Sequence, residues 1–348
     1  MTELNLREIL TKTIDKTHLT KEESEFFLNE VMNGKVSEIL LASFLTALKQ
    51  KGETLPELVG LVSAMRENAE KPSTKFDFDF IDTCGTGGDG RGSFNISTLS
   101  AFTLAALGVK VAKHGNRSVS SLSGSSDILQ SVGYDFERSK EELEAEFVRT
   151  GFVFLFAPAW HPSMKYAGPV RKELGFRTFF NLIGPLSNPF RPAFQVVGVY
   201  DKSLLSVVSQ ILKELGSKRS IICHSEDGLD EFSIFAPTDY CYFDGKTTQT
   251  LRFDPKSLPL KKEIEPKEVF ADSKEDSFRL FMEVLSGKET SGTDMVALNA
   301  GAGLFVLEKA KSIEEGFELA KRAILEKKVL KFTQETLNLT LAVSSLDK

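Results

Sequence analysis

The chain has 348 residues, 41% of them hydrophobic and 26% charged, with a formal net charge of −6. Those shares are ordinary for a folded globular protein and exclude wholesale disorder, while the length exceeds what one hydrophobic core usually serves, so two domains or one large α/β domain with a helical appendage are expected. The acidic balance gives no reason to expect a nucleic-acid or anionic-membrane partner, and any anionic ligand must be met by local positive charge.

The N-terminus, Met1 to Glu8, is charged from the start and lacks the apolar core of a signal peptide. No run approaches the roughly 20 apolar residues needed to cross a bilayer. Cys84, Cys223 and Cys241 are odd in number and lack Cys-x-x-Cys spacing, so neither a disulfide framework nor a zinc site is suggested. A soluble, cytoplasmic protein is the expectation. Residues 4–70 read as helices only: Thr20 to Glu23 is a capping box for a helix that stops at Gly34, Ser37 opens one that stops at Gly52, and Thr54 to Glu57 is a second capping box for one that runs to about Ala69. Their apolar faces are broad, which implies either packing among themselves or a dimer surface.

From Phe76 onward strand-like runs alternate with helical ones, the mark of a parallel sheet wound with helices. Phe76, Phe78 and Phe80 alternate with polar residues and predict a strand; the sheet is expected from 78–82, 109–112, 152–157, 194–199 and 219–224, with a small β excursion at 240–252 turning at Asp244-Gly245. The lysine- and glutamate-rich patch at 255–275 reads as a solvated loop and helix start. The end is helical again: Ser291 to Leu307, Ile313 to Glu326 and a last helix near Thr333 to Val343.

The stretch that organises the rest is 82–98, with five glycines among the eight residues 85–92, between a strand and a helix over Leu99 to Leu107 closed by Gly108. Missing side chains let backbone N–H groups approach an anion, and the helix points its positive end at the same spot, so a phosphate site is predicted. Gly85 to Gly90 satisfies the Gly-x-Gly-x-x-Gly dinucleotide fingerprint, but the next strand ends in Lys113-His114-Gly115-Asn116-Arg117-Ser118 where an acidic ribose ligand is wanted. No Gly-Lys-Ser or Gly-Lys-Thr follows the glycines, which excludes a P-loop. Instead the two loops, 85–98 and 113–125, would present N–H groups, Lys113, Arg117 and the hydroxyls of Ser93, Ser97, Thr98, Ser118, Ser120 and Ser121 to a ligand with several phosphates.

The segments GTGGDG (85–90) with FNIST (94–98), KHGNRSVSSLSGSSDIL (113–129), HPSMK (161–165), VRKELGFRTFFNLIGPLSNP (170–189) and GLDEFS (228–233) resemble, in order, the motifs of the anthranilate phosphoribosyltransferase family. The resemblance implies the nucleoside phosphorylase/phosphoribosyltransferase fold: a small all-helical domain (1–72, completed by about 170–189) hinged to a larger α/β domain (73–169 and 190–348) with a mainly parallel central sheet. It implies transfer of the phosphoribosyl group of 5-phospho-α-D-ribose 1-diphosphate to the amino group of anthranilate, with magnesium, and a homodimer through the helical domain.

Carried over residue by residue, the family pattern puts the sugar diphosphate on Gly85, Gly88, Asp89, Ser93, Asn95, Ile96, Ser97, Thr98, Lys113, His114, Gly115, Asn116, Arg117, Ser118, Val119, Ser120, Ser121 and Ser125. Magnesium would sit on Ser97, Asp230 and Glu231, which as hard oxygen ligands suit it. Anthranilate would meet Gly85, Asn116 and Arg171, the last binding the carboxylate through a planar guanidinium, with Pro158, Met164, Tyr166 and Pro185 as apolar walls. Arg177 reads as structural. His114 and His161 are candidates to take the amine's proton, His114 first. Ser126, Phe232, Gly301 and Gly303 depart from the pattern, and the two glycines are expected to loosen a late helix. A pyrimidine nucleoside phosphorylase on the same fold is opposed by the intact His114 to Arg117 run and Arg171; a noncatalytic nucleic-acid-binding relative is opposed by the acidic charge and by Asp230 and Glu231.

Overall fold

Four capped helices open the chain in the computed structural model, which describes residues 4–87, 90–117, 124–337 and 339. They are α1 (Leu6–Ile14), α2 (Lys21–Met32), α3 (Glu38–Lys51) and α4 (Leu55–Glu67). Each starts where a side chain satisfies an otherwise orphaned N–H: Asn5 accepts from Arg7, Thr20 from Glu23 and Ser37 from Leu40. At α4 the Glu57 carboxylate reaches back to accept from the Thr54 N–H and hydroxyl, both at 2.8 Å. Such caps contribute about 1 kcal/mol each. Phe27 and Phe44 stack with ring centroids 3.7 Å apart in the middle of the bundle. The apolar faces are wider than the bundle alone covers. Part of the excess packs against Ala167, Val170, Phe179, Phe180 and Ile183, because Gly168–Leu174 lies against α3 and Phe179–Ile183 against α4. Part stays open: Ile39 on α3 is 81% exposed and Ile14 at the end of α1 58%.

Seven strands form one sheet: β1 (Ile81–Gly85), β2 (Val111–Gly115), β3 (Phe152–Phe156), β4 (Phe194–Gly198), β5 (Arg219–Ser225), β6 (Thr238–Phe243) and β7 (Thr248–Phe253). The order is β3-β2-β1-β4-β5-β6-β7, parallel from β3 to β5 and antiparallel at β6 and β7. Alternation sorts the side chains: Val111, Phe152, Phe154, Val196 and Ile221 enter one core, whereas Val197 and Ile222 enter a second, and Ala112, Val153 and Leu155 a third. Gly85 is level with Gly198 and Gly115 with Phe156, so the loops that leave β1, β2 and β4 emerge at one edge. With β2 and β4 on its two sides, β1 marks the point where the chain's path across the sheet reverses, which is where open α/β sheets bind ligands.

Helix α5 (Ile96–Ala106) follows β1 and is buried on nearly every face, against the sheet on one side and Ser291–Val306 on the other. The contacts of Ser291–Val306, with α5 on one side and with Ile313–Leu325 on the other, depend on small residues. A Cβ on Gly303 would lie 2.8 Å from the Leu104 side chain, and one on Gly301 would lie 2.5 Å from the Phe317 backbone nitrogen. The two glycines therefore tighten the packing of this helix, contrary to the loosening expected from sequence.

Other departures have equally local causes. Phe76 to Phe80 is not a strand; Phe76, Phe78 and Phe80 instead gather around Phe147, with centroid separations of 5.1 to 5.4 Å, so the period of two reported a one-sided aromatic strap. The 240–252 excursion is the sheet's antiparallel edge. Residues 255–275 are not simply solvated: Phe94 donates to Val269 at 3.1 Å and Ala271 to Gly92 at 2.9 Å, which fastens this patch to the glycine-rich stretch. At the C-terminus Lys328–Lys331 runs into a π-helical turn, Phe332–Thr336, and most of the last predicted helix lies outside the described residues.

Because the Gly301 contact is with backbone, Gly301→Ala should cost about 1–3 kcal/mol, whereas Gly168→Ala, which has open space around it, should not destabilise. Chemical denaturation of both variants checks this.

Candidate active site

The ends of β1 and β2 are pinned by a fully buried carboxylate. Asp82 accepts from the His114 backbone N–H at 3.2 Å and from Asn188 Nδ2 at 2.9 Å, while Asn188 also donates to the Ala112 carbonyl at 2.8 Å. Burial pushes Asp82 up to about 6, against the opposing pull of Lys113 and these donors. Lys113 is itself buried, and its Nζ donates to the Thr83 carbonyl at 2.5 Å and to Ser97 Oγ at 3.2 Å. Burial lowers its pKa; Asp82, Cys84 and Glu231 raise it. Its ammonium thus lies behind the glycine-rich loop and reaches the cleft as a field, with Glu231 among the carboxylates that feel it.

Beyond Gly85 the chain meets the Gly228–Ser233 turn. Gly87 N–H donates to Asp230 Oδ2 at 2.8 Å. A Cβ on Gly85 would come within 2.5 Å of that same oxygen, and one on Gly198 would overlap the Asp230 carbonyl oxygen at 1.4 Å. Only glycine at both strand ends lets Asp230 seat there. Arg91 lies over Gly228, its Nη2 3.0 Å from where a Cβ would stand. The loop is completed by Thr86, which donates its N–H to the Gly198 carbonyl at 2.9 Å and accepts at its hydroxyl from the Tyr200 N–H at 3.0 Å.

Further along, Ser93 bridges Phe270, Asn95 occupies the N-cap position of α5 without a side-chain cap bond among the described residues, Ile96 is buried and Ser97 touches Lys113. Thr98 Oγ1 is buried without a hydrogen-bond partner among the described residues. On the second loop, Gly115 has no room for a Cβ, which would stand 2.7 Å from the Phe154 ring and 3.2 Å from Ser125. Asn116 Oδ1 accepts from the Arg117 N–H at 2.7 Å, and the Arg117 guanidinium lies 5.8 Å from the Phe156 ring centre. Gly88, Asp89, Ser118, Val119, Ser120 and Ser121 lie outside the described residues.

Arg171, on the helix Gly168–Leu174, is half-buried with its guanidinium 4.8 Å from the centre of the Phe180 ring. Burial lowers its pKa, and among the described residues no carboxylate lies within ion-pair distance of it. The next stretch, 184–187, is tied to the sheet edge through its carbonyls: Pro185 accepts from Cys84 Sγ at 3.6 Å and Gln195 Nε2 at 3.3 Å, and Leu186 from Arg66 Nε at 2.8 Å. The Gly184 backbone raises the His114 pKa and the Ser187 backbone that of His161, each against the larger effect of burial. Of the expected apolar walls, Tyr166 stands 42% exposed, with its ring against Gly34.

The two histidines face each other with ring centroids 5.1 Å apart, and each has a buried Nε2 without a partner among the described residues. Burial, the His161 charge and the Lys113 charge hold His114 well below the ordinary histidine range; burial brings His161 to about 4. Both rings are neutral at pH 7. Sequence reasoning missed Asp82, Asn188, Arg66 and Arg91 as parts of the site; only an acidic residue on the strand before the glycines hinted at the first.

The sign of the histidine effect is fixed. Unfolded His161 binds its proton near pH 6.5 and folded His161 near 4, so its neutral burial supports the fold fully above 6.5 and progressively less as pH falls toward 4. The unfolding free energy of wild type relative to His161→Gln should fall by about 2 kcal/mol between pH 7 and pH 5. Asp82 acts oppositely, since its folded pKa is raised, but it is common to both proteins and cancels in the difference.

Two family profiles match the chain: a "Glycosyl transferase family, helical bundle domain" over residues 7–69 and a "Glycosyl transferase family, a/b domain" over residues 77–328. An anthranilate phosphoribosyltransferase of Hydrogenovibrio crunogenus is 42% identical over 322 residues, 92% of this chain and 94% of that one. The crystal structure of the Thermus thermophilus anthranilate phosphoribosyltransferase superposes with a TM-score of 0.87 at 36% identity, covering 95% of this chain and 98% of that one. The Saccharomyces cerevisiae enzyme, solved in complex with PRPP and Mg, shares the fold at a TM-score of 0.84 and 24% identity, over 99% of both chains.

Proposed function

The chain belongs to the anthranilate phosphoribosyltransferase family of glycosyltransferases, and from that premise we propose that its cleft joins the amino group of anthranilate to C1 of 5-phospho-α-D-ribose 1-diphosphate, giving N-(5-phosphoribosyl)anthranilate and pyrophosphate in tryptophan biosynthesis. The observation that carries the choice of acceptor is Arg171: a half-buried guanidinium stacked on Phe180 with no carboxylate paired to it among the described residues. A planar aromatic acid suits that place, since its carboxylate can take two parallel N–H bonds while its ring lies against apolar surface. Asn116 is assigned to the amine or carboxylate, and the backbone at Gly85 to the boundary between the two substrates.

The sugar diphosphate is assigned to the β1–α5 and β2 loops, the former set between Asp230 and the N-terminus of α5. As the C1–oxygen bond breaks, the ribose gains positive character and the diphosphate gains charge. The N-terminal end of α5 and the field of Lys113 would stabilise that charge. The amine is a neutral nucleophile, so positioning it behind C1 supplies much of the acceleration. Its proton leaves after attack, and His114, neutral and buried with a low pKa, is a weak base. His114→Ala should therefore retain turnover within about tenfold.

Magnesium is assigned to Ser97, Asp230 and Glu231. The donor set fits: a hydroxyl from the first turn of α5 and two carboxylates from the turn whose Asp230 seats against Gly85 and Gly198, all hard oxygens. Among the described residues no group of three or more His, Cys, Asp or Glu side chains gathers as a metal site; two carboxylates with room for substrate phosphates and water suit magnesium better than a full protein cage. When bound, the ion would neutralise diphosphate charge in the ground state and as the leaving group departs.

We further assign residues 1–72, completed by 170–189, to a helical lobe and 73–169 with 190–348 to the α/β lobe. The exposed Ile39 and Ile14 support a homodimer through the helical lobe. We assign the site of action to the cytoplasm, which the three free cysteines suit; no helix among the described residues is long and apolar enough to cross a membrane.

Loss of anthranilate fluorescence on mixing with the sugar diphosphate and magnesium tests the reaction, and EDTA should abolish it. Arg171→Ala should raise the KM for anthranilate about 10–100-fold, the loss of a charge-assisted hydrogen bond, and leave that for the sugar diphosphate within a few-fold. Asp230→Asn should do the reverse. Equal effects of both variants on both substrates would overturn the site assignment. Ile39→Glu should halve the mass seen by light scattering if the dimer forms through this face.

A further inference from the structure

We infer that Arg177 and Tyr200 form a positioning contact that sets the acceptor-binding arginine in register with the glycine-rich loop. The inference rests on the reading of the cleft given above. Arg177 lies six residues beyond Arg171, separated from its helix by Gly175, which ends that helix at φ +66. Its guanidinium stands 4.2 Å from the centre of the Tyr200 ring, shorter than the 4.8 Å of Arg171 over Phe180. Both rings are at least partly buried, where a stacked guanidinium interacts more strongly than in open water.

What Tyr200 is fastened to gives the contact its consequence. Its backbone N–H donates to the Thr86 hydroxyl, and the Thr86 N–H donates to Gly198, one residue before the loop's Gly87 bonds to Asp230. A short path therefore runs from the segment carrying Arg171, across one cation–aromatic contact, into the backbone that holds the glycine-rich loop and the Asp230 turn. At its other end the segment is tied through the Pro185 carbonyl to Cys84 and Gln195. Arg177 ties the chain beyond Gly175 to that backbone, so the distance between acceptor and sugar diphosphate is set from both ends. Small errors in that distance are costly to rate while leaving each substrate's own contacts intact.

The test is steady-state kinetics for both substrates on Arg177→Ala, Tyr200→Leu, Tyr200→Phe and the double variant Arg177→Ala/Tyr200→Leu, with thermal unfolding midpoints recorded alongside. The expected result is about a tenfold fall in kcat for each of the first two with both KM values within about twofold of wild type, a double variant no worse than either single one, and near-normal turnover in Tyr200→Phe, which keeps the ring. Multiplying losses in the double variant, unchanged kcat, or Tyr200→Phe as impaired as Tyr200→Leu would overturn it. If Arg177→Ala does not fold, Tyr200→Leu against Tyr200→Phe decides the question from the other side of the contact. Failure here with Arg171→Ala still selective for anthranilate would remove the positioning contact and leave the reading of the cleft standing.

Discussion

The architecture of the cleft depends on one steric fact: two strand ends, Gly85 on β1 and Gly198 on β4, have no side chain, and Asp230 occupies the space. Its carbonyl lies where a Gly198 Cβ would be, and its carboxylate lies against Gly85 and accepts from Gly87. Because the parallel register sets Gly85 and Gly198 level, a single aspartate can be held by both. This seat orders the first turn of the glycine-rich loop and brings a carboxylate to the place where the diphosphate is assigned. The remaining loop is held by other means, through bonds from 92–94 to 269–271.

A second constraint is electrostatic. Asp82 and Lys113 are both buried and perturb one another in opposite senses, Asp82 raised by burial and Lys113 lowered by it. Neither is left bare: Asn188 and the His114 N–H hold the carboxylate, the Thr83 carbonyl and Ser97 hydroxyl the ammonium. Breaking such an arrangement by removing one partner leaves an uncompensated buried charge. The same network crosses β1, β2, α5 and the 184–188 stretch, so the frame that carries the loops is rigid where the chemistry requires fixed distances.

Much of this was legible in the sequence, for reasons that differ by element. Capping boxes at Thr20 and Thr54 and the glycines at 34 and 52 set the first helices almost to the residue, since a cap is a local hydrogen bond. The five parallel strands were placed to within a few residues, as expected where apolar runs alternate with helices. Phe76 to Phe80 misled because alternation marks one-sided burial and does not specify a hydrogen-bonded ladder. Gly301 and Gly303 misled for the opposite reason: read locally a glycine weakens a helix, and only tertiary contact with Gly316 and Leu104 shows the close approach. The Asp82–Asn188 pair, 106 positions apart, and the Arg177–Tyr200 contact had no local signature at all. Arg171 was named by motif, and its stacking on Phe180 adds a physical reason for the assignment that spacing could not provide.

The most direct measurement of the central claim is isothermal titration of 5-phospho-α-D-ribose 1-diphosphate with magnesium into Gly85→Ala. The added methyl has to displace the Asp230 carboxylate from its place beside Gly87, and the account predicts binding at least about tenfold weaker, roughly 1.4 kcal/mol, with the unfolding midpoint within a few degrees of wild type. Wild-type affinity in that variant would contradict it.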